Sequence, residues 1–102
     1  MAPYGEGAFR IEGGVLTCPS DMNGVTPSML RDWCLKLIAA PPSSISIDLS
    51  STRHMASHHL GVLAQAWAEA VAKQKQLVVK ISPDLRRVFE MAGLDQVLDL
   101  SA

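Results

Sequence analysis

The sequence contains little cysteine, and this scarcity excludes a disulfide-stabilised scaffold. Its 102 residues include two cysteines, Cys18 and Cys34, and each lies among apolar neighbours. Free cysteines in such surroundings behave as small hydrophobic side chains, so neither a disulfide framework nor a redox pair is expected. No secretory signal pattern is found in the first residues, and the sequence predicts a reduced, cytoplasmic protein.

Long hydrophobic runs and an excess of charge of either sign are also missing. No apolar run approaches the ~20 residues that cross a bilayer, so membrane insertion is not expected. Nine basic residues against ten acidic ones give a formal net charge of -1. Nucleic acids and anionic membranes attract proteins with a basic excess. The balance therefore argues against nucleic acid or a membrane surface as the main partner.

Length and composition are those of one globular domain. Hydrophobic residues make up 48% of the 102 positions, which suffices for one core but not for two. Residues 1–8 are rich in glycine and proline and are predicted to be a disordered N-terminus. The folded domain is therefore predicted to cover residues 9–102.

Strand and helix patterns alternate along this domain. Gly13-Gly14 predicts the turn of an opening hairpin, and Thr26-Pro27 and Ser82-Pro83 predict helix starts. Two-residue alternation and β-branched runs predict strands at residues 9–11, 15–18, 45–49, 77–81 and 97–100. A 3.6-residue period predicts helices over residues 26–40, 60–75 and 82–92.

The order of these elements predicts an α/β domain. A hairpin followed by alternating helices and strands favours a mixed sheet with right-handed crossovers and helices packed on one side. The run from Leu77 to Ile81 is apolar on both faces and is predicted to be a central strand covered by helices. Trp33 and Trp67 lie on the apolar stripes of their helices and are predicted to be largely buried.

No pattern of catalytic residues stands out, and neither enzyme activity nor a cofactor is expected. His54, His58 and His59 lie close together in sequence. No cysteine or paired carboxylate accompanies them, so exposed or half-buried histidines are favoured over a metal site. Asp48, Ser57 and His58 lack the Gly-x-Ser-x-Gly elbow of a hydrolase. The glycine-rich loops that hold phosphates are also missing.

Ser57 is the most informative polar residue. It immediately precedes the apolar stripe of the second helix, where a serine side chain can cap the helix. The same position has free backbone N–H groups at the positive end of the helix dipole, so a phosphate on Ser57 would be favoured there. A structural cap and a phosphorylation site both remain open as interpretations.

From residue 45 to residue 100 the chain resembles the STAS family, the anti-sigma factor antagonists. The family reads Asp-Leu-Ser, a short gap, then Asp-Ser-Ser-Gly-Leu-Gly across a strand, a loop and a helix start. The matching segments here are Ile47-Asp48-Leu49-Ser50 and His54-Met55-Ala56-Ser57-His58-His59-Leu60-Gly61. The family's closing half is matched by Leu77-Val78-Val79, Ser82-Pro83, Arg86-Arg87-Val88-Phe89 and Gly93-Leu94-Asp95-Gln96-Val97-Leu98. Residues 13–39 fit the family's opening part more loosely.

The resemblance implies a STAS-like fold and a regulated protein partner. Such proteins bind a kinase-like anti-sigma factor, which phosphorylates a serine at the start of the second helix and thereby causes release. Ser57 falls on that serine, so the resemblance implies phosphorylation of Ser57 and a partner surface of Met55, Ser57, His58 and His59. Ala56, His58 and His59 replace the family's Asp, Ser and Gly. A working switch and a scaffold that has lost its switch therefore both remain open.

Two other roles of STAS proteins stay as alternatives to the anti-sigma factor antagonist. One is an accessory subunit of another complex, such as a transporter ATPase, and the other is a nucleotide-binding module. The helix that often closes the family's fold is expected to be short or absent here. Its absence would leave apolar surface that suits a partner or a homodimer.

Overall fold

The computed structural model describes residues 9–96 and 98–101, which form a five-stranded sheet and three α-helices. The elements in chain order are β1 (Arg10–Glu12), β2 (Val15–Thr17), α1 (Pro27–Ile38), β3 (Ser44–Leu49), α2 (Ser57–Ala72), β4 (Gln76–Ile81), α3 (Pro83–Met91), a 3-10 turn (Leu94–Gln96) and β5 (Asp99–Ser101). The segment predicted to be a disordered N-terminus lies outside the described residues.

The strands are arranged across the sheet in the order in which they occur in the chain. β1 and β2 form an antiparallel hairpin, and β2, β3, β4 and β5 run parallel to one another. Right-handed crossovers that always step in the same direction place their helices on one face, so α1, α2 and α3 share one side of the sheet. The predicted α/β domain, with a mixed sheet and helices on one side, is confirmed, and β4 lies inside the sheet between β3 and β5.

Local sequence signals explain where several elements begin and turn. Gly13 and Gly14 have φ angles of +59° and +78°, the left-handed conformations that the hairpin turn requires. The Thr26 hydroxyl accepts a hydrogen bond from the N–H of Met29 at 3.1 Å, as expected of an N-cap residue. Pro27 is the first residue of α1, where the missing N–H is not needed.

The core lies between the helices and the sheet face that they cover. Alternate side chains of β3 and β4 point into it and are at most 3% exposed: Ile45, Ile47, Leu49, Leu77, Val79 and Ile81. The intervening Ser46, Asp48 and Val78 are half-buried on the other face. The prediction that β4 is a central strand covered by helices is confirmed for one face, because the helices share one side of the sheet.

The prediction that both tryptophans are largely buried is confirmed only in part. Trp33 and Trp67 are half-buried and pack against the margin of the core. Trp33 stacks on Phe9, with ring centroids 5.4 Å apart, and the ammonium of Lys36 lies 4.5 Å from the centroid of the Trp33 ring. Contacts with one ring and one exposed cation suit an amphipathic side chain at the edge of a core.

Candidate functional site

An open depression lies at the edge of the sheet where the parallel strands end. Loops at the carboxyl ends of strands are where α/β domains commonly carry binding residues. The depression has a volume of about 1320 Å3 and is bounded by the β2–α1 loop, the β3–α2 loop and the starts of all three helices. The residues that line it include Asp21, Arg53, His54, Met55 and His58. We call it the strand-end groove.

Hydrogen bonds join the loops around the strand-end groove. The Thr52 hydroxyl donates to the carbonyl oxygen of Pro19 at 2.7 Å, and the Ser82 hydroxyl donates to the carbonyl oxygen of Thr52 at 2.7 Å. The N–H of Arg53 donates to the carbonyl oxygen of Ser20 at 3.2 Å. Thr52 and Ser82 are buried, so their hydrogen bonds are shielded from water. Together these hydrogen bonds connect the β3–α2 loop to the β2–α1 loop on one side and to the start of α3 on the other.

Ser57 is the first residue of α2 and lies beside this groove. The N-cap residue is Ala56, whose side chain forms no cap hydrogen bond. The interpretation of Ser57 as the N-cap is therefore wrong by one position. Ser57 is exposed, and within the part of the chain that the structure describes no hydrogen bond holds its hydroxyl. That hydroxyl is accessible for modification.

The start of α2 favours a negative charge. The first N–H groups of a helix, here those of Ser57 and His58, have no carbonyl partner within the helix. The positive end of the helix dipole lies at the same place. The described first turn of α2 contains no acidic residue that would compete for these N–H groups. An anionic group on Ser57 would thus meet attraction from the backbone and no repulsion from the first turn.

His59 is buried, with 3% of its surface exposed. Its Nδ1 accepts a hydrogen bond from the N–H of Ala56 at 3.1 Å. Its Nε2 lies 2.7 Å from the carbonyl oxygen of Val25 in the β2–α1 loop. The sequence places His59 in the partner surface with an exposed or half-buried ring, and that expectation is wrong: the ring is buried, where it joins α2 to the neighbouring loop.

The other predicted surface residues lie around Ser57. His58 is exposed, and its ring meets that of His59 edge-on, with centroids 4.3 Å apart. Met55 is half-buried and packs against the core, while His54 is exposed. Within the described ranges, no group of three or more His, Cys, Asp or Glu side chains is arranged to hold a metal ion.

Asp48 is the last residue but one of β3 and gives the Asp-Leu-Ser segment a structural role. Its Oδ1 accepts hydrogen bonds from the N–H of Ser50 at 2.9 Å and from the Ser50 hydroxyl at 2.5 Å. The hydrogen bond from the Ser50 side chain lowers the pKa of Asp48 below its ordinary value of 3.8, and the charge of Lys80 on the adjacent strand adds to this effect. The ionised carboxylate therefore stabilises the turn that leads into the groove.

We expect Asp48→Asn to change how stability depends on pH. A lowered folded-state pKa contributes stability that is complete above the ordinary value of 3.8 and is lost as pH falls through the lowered value. Wild type should therefore be more stable than Asp48→Asn at neutral pH, and this difference should shrink below about pH 4. Urea unfolding between neutral pH and about pH 2 measures it, with Asp32→Asn at an exposed position of α1 as a control. A difference independent of pH would contradict the assignment.

Both cysteines are buried and poor nucleophiles. Burial raises the pKa of the Cys34 thiol to about 12, and burial is also the main cause that raises the pKa of Cys18. Because the thiolate is the reactive form of cysteine, neither side chain is suited to covalent chemistry at neutral pH. Their positions agree with the prediction that both are small buried hydrophobic residues.

Comparison with known proteins agrees with this architecture. The family model described as "Mlab, STAS domain" matches residues 11–100. The crystal structure of an anti-sigma factor antagonist from Mycobacterium paratuberculosis is similar, with a TM-score of 0.73, 26% identity, and coverage of 90% of this chain and 80% of that chain. A Thermotoga maritima protein proposed to be an anti-sigma factor antagonist has a TM-score of 0.69 at 15% identity, with 90% and 82% coverage, which shows a shared fold.

The sequence matches no curated protein. Among the described residues, no helix has the length and apolar character needed to cross a membrane. The family match spans most of the chain, from β1 into β5, and the fold agrees with both solved structures. The chain therefore belongs to the STAS domain family.

Proposed function

We propose that the protein is a non-enzymatic interaction switch that binds a kinase-like anti-sigma factor. The observation that carries this proposal is the exposed Ser57 at the start of α2, beside the strand-end groove. The Mycobacterium paratuberculosis protein with the same fold is an anti-sigma factor antagonist, which supports a partner of this class. Ser57, His58 and Met55 form the centre of the partner surface, and we call them the Ser57 surface.

Phosphorylation of Ser57 is the proposed regulatory step. A phosphate adds about -1.5 to -2 charges at neutral pH. The free N–H groups at the start of α2 would hold this charge in place, and Ala56 contributes no carboxylate that would repel it. A partner surface that fits a neutral hydroxyl would have to bury the added charge, which is unfavourable without a matching cation. Phosphorylation therefore weakens the complex.

We expect Ser57→Asp to weaken partner binding while Ser57→Ala leaves it unchanged. Both variants and wild type are used to capture partners from extracts of the native host, and the captured protein is then titrated by calorimetry. Wild type and Ser57→Ala should bind equally, and Ser57→Asp should bind at least tenfold more weakly, a loss of ~1.4 kcal/mol. Mass spectrometry of the protein from cells locates the phosphate.

Ser43→Asp is the matched control for the added charge. Ser43 is exposed and precedes β3, at the opposite edge of the sheet from the strand-end groove. Its variant carries the same charge as Ser57→Asp and should bind the partner as wild type does. Equal affinities for all the variants, together with an unmodified Ser57 in cells, would contradict the switch.

An accessory subunit of a transporter ATPase is the second candidate function. The observation that favours it is the departure from the family's switch motif at Ala56, His58 and His59. A subunit of this kind would bind its ATPase with Ser57 unmodified. Capture of an ATPase in place of a kinase-like protein, with unchanged affinity for Ser57→Asp, would favour this candidate.

A further inference from the structure

We propose that His59 is a positioning residue that fixes the Ser57 surface to the β2–α1 loop, so that the two walls of the strand-end groove move as one unit. Its ring is buried between α2 and the β2–α1 loop, and each of its two nitrogens contacts a different backbone segment. The consequence for partner binding rests on the proposed function, whereas the coupling of the two segments does not.

The backbone partners of His59 permit one form of its ring. The N–H of Ala56 is an obligatory donor, so Nδ1, at 3.1 Å, must present its lone pair. The carbonyl of Val25 is an obligatory acceptor, so Nε2, at 2.7 Å, must carry the proton. His59 is therefore a neutral imidazole in the Nε2–H tautomer. A ring with the proton on Nδ1 would satisfy neither partner.

The hydrogen bond to Ala56 replaces a missing helix cap. Polar side chains that usually cap helices are absent from position 56, because alanine has no acceptor. His59 is the third residue of α2, from which a side chain can reach back to the N–H of the N-cap residue. The His59 ring therefore takes the place of a capping side chain. It fixes the first turn of α2, to which Ser57 belongs.

The hydrogen bond to Val25 connects the start of α2 to the β2–α1 loop on the other side of the groove. Val25 lies 34 positions earlier in the chain and immediately precedes Thr26, the N-cap of α1. The same ring therefore touches the residue that leads into Ser57 and the residue that leads into α1. An apolar side chain of similar size could fill the space, but it would leave the Ala56 N–H and the Val25 carbonyl without partners.

Nuclear magnetic resonance of the full chain in its free form tests the coupling. The 15N shifts of the His59 ring report the tautomer in wild type without any substitution. His59→Leu removes both hydrogen bonds, and His59→Gln retains an acceptor and a donor on one side chain. His54→Leu makes the same substitution at an exposed histidine outside the Ser57 surface and is the matched control.

The Nε2–H tautomer is expected in wild type, and a ring protonated on Nδ1 would overturn the proposal. In His59→Leu the Ala56 amide should exchange about tenfold faster, whereas His59→Gln and His54→Leu should stay within about twofold of wild type. Residual dipolar couplings of residues 57–59, measured against those of residues 62–70, should change in His59→Leu and be restored in His59→Gln. Unchanged exchange and couplings in a folded His59→Leu would also overturn it.

Ala56→Asp in the His59→Leu background separates positioning from helix capping. Aspartate at the N-cap restores a cap to α2 but offers nothing to the Val25 carbonyl. The couplings of the first turn should recover, while the amide shifts of residues 20–26 should stay displaced. Full recovery of both segments would show that His59 acts as a cap alone and would overturn the proposal. Because these measurements need no partner, loss of the Ser57 switch would leave their outcome unaffected.

Discussion

Replacing Phe89 with alanine should lower the free energy of unfolding by about 3–5 kcal/mol. Phe89 is fully buried and lies on the side of α3 that faces the core. Removing its ring deletes a large apolar surface and leaves a cavity that the packed surroundings fill only in part. Domains of this size have a total stability of about 5–15 kcal/mol, so a large share of it depends on this one side chain.

Urea unfolding followed by circular dichroism measures this loss, and the adjacent residue provides the control. Val88 is 36% exposed on the same helix, so Val88→Ala should change the free energy of unfolding by less than about 1 kcal/mol. Trp67→Ala should cost less than Phe89→Ala because Trp67 is half-buried. A loss for Phe89→Ala no larger than that for Val88→Ala would show that α3 does not face the core through Phe89.

The fold was predictable from the sequence because its signals are local and agree with one another. The alternation in β3 identified its core face, and the Gly13-Gly14 turn and the Thr26-Pro27 helix start form as their residue types dictate. How far the neighbouring elements extend over the apolar stripe of each helix was not predictable in this way. Trp33 lies on an apolar stripe but is only partly buried, because a stripe shows the direction of a side chain and not how far its neighbours extend.

The end of α2 comes earlier than the local pattern predicts. Its apolar period predicts a helix to about residue 75, yet the helix ends at Ala72. Gln74 adopts a left-handed φ of +61°, and the ammonium of Lys75 then reaches the carbonyl oxygens of Ala40 and Pro42. Those carbonyls lie more than thirty positions away, so no window around residue 75 reveals them.

The candidate site was predictable in position and only partly in detail. Ser57 was identified by the apolar stripe that follows it, but its interpretation as the N-cap was wrong by one residue, because Ala56 is the N-cap although it lacks a capping group. The burial of His59 was missed, although its place as the third helical residue is a capping-box position and offered a signal. Thr52 and Ser82 gave no comparable signal, since their hydrogen-bond partners lie 33 and 30 positions away.

Replacing Thr52 with valine should destabilise the protein by about 1–3 kcal/mol and loosen the strand-end groove. Valine retains the shape of threonine but loses the hydroxyl that donates to Pro19 at 2.7 Å. The Pro19 carbonyl is then left without this donor beside a fully buried side chain. The β2–α1 and β3–α2 loops would lose a direct link, so the amide of Arg53, which donates to Ser20, should exchange faster with solvent.

Thr17→Val separates the loss of this hydrogen bond from a change of residue type. Thr17 is half-buried on the uncovered face of β2, where valine is a favourable strand residue, so its variant should be as stable as wild type or slightly more so.

Ser82→Ala removes the donor to the carbonyl of Thr52. Because the two hydrogen bonds share Thr52, the double variant of Thr52→Val and Ser82→Ala should lose a different amount of stability from the sum of the two single losses. Strict additivity, or equal stability of Thr52→Val and Thr17→Val, would mean that Thr52 does not hold the three loops together and that the groove owes its shape to the core beneath it.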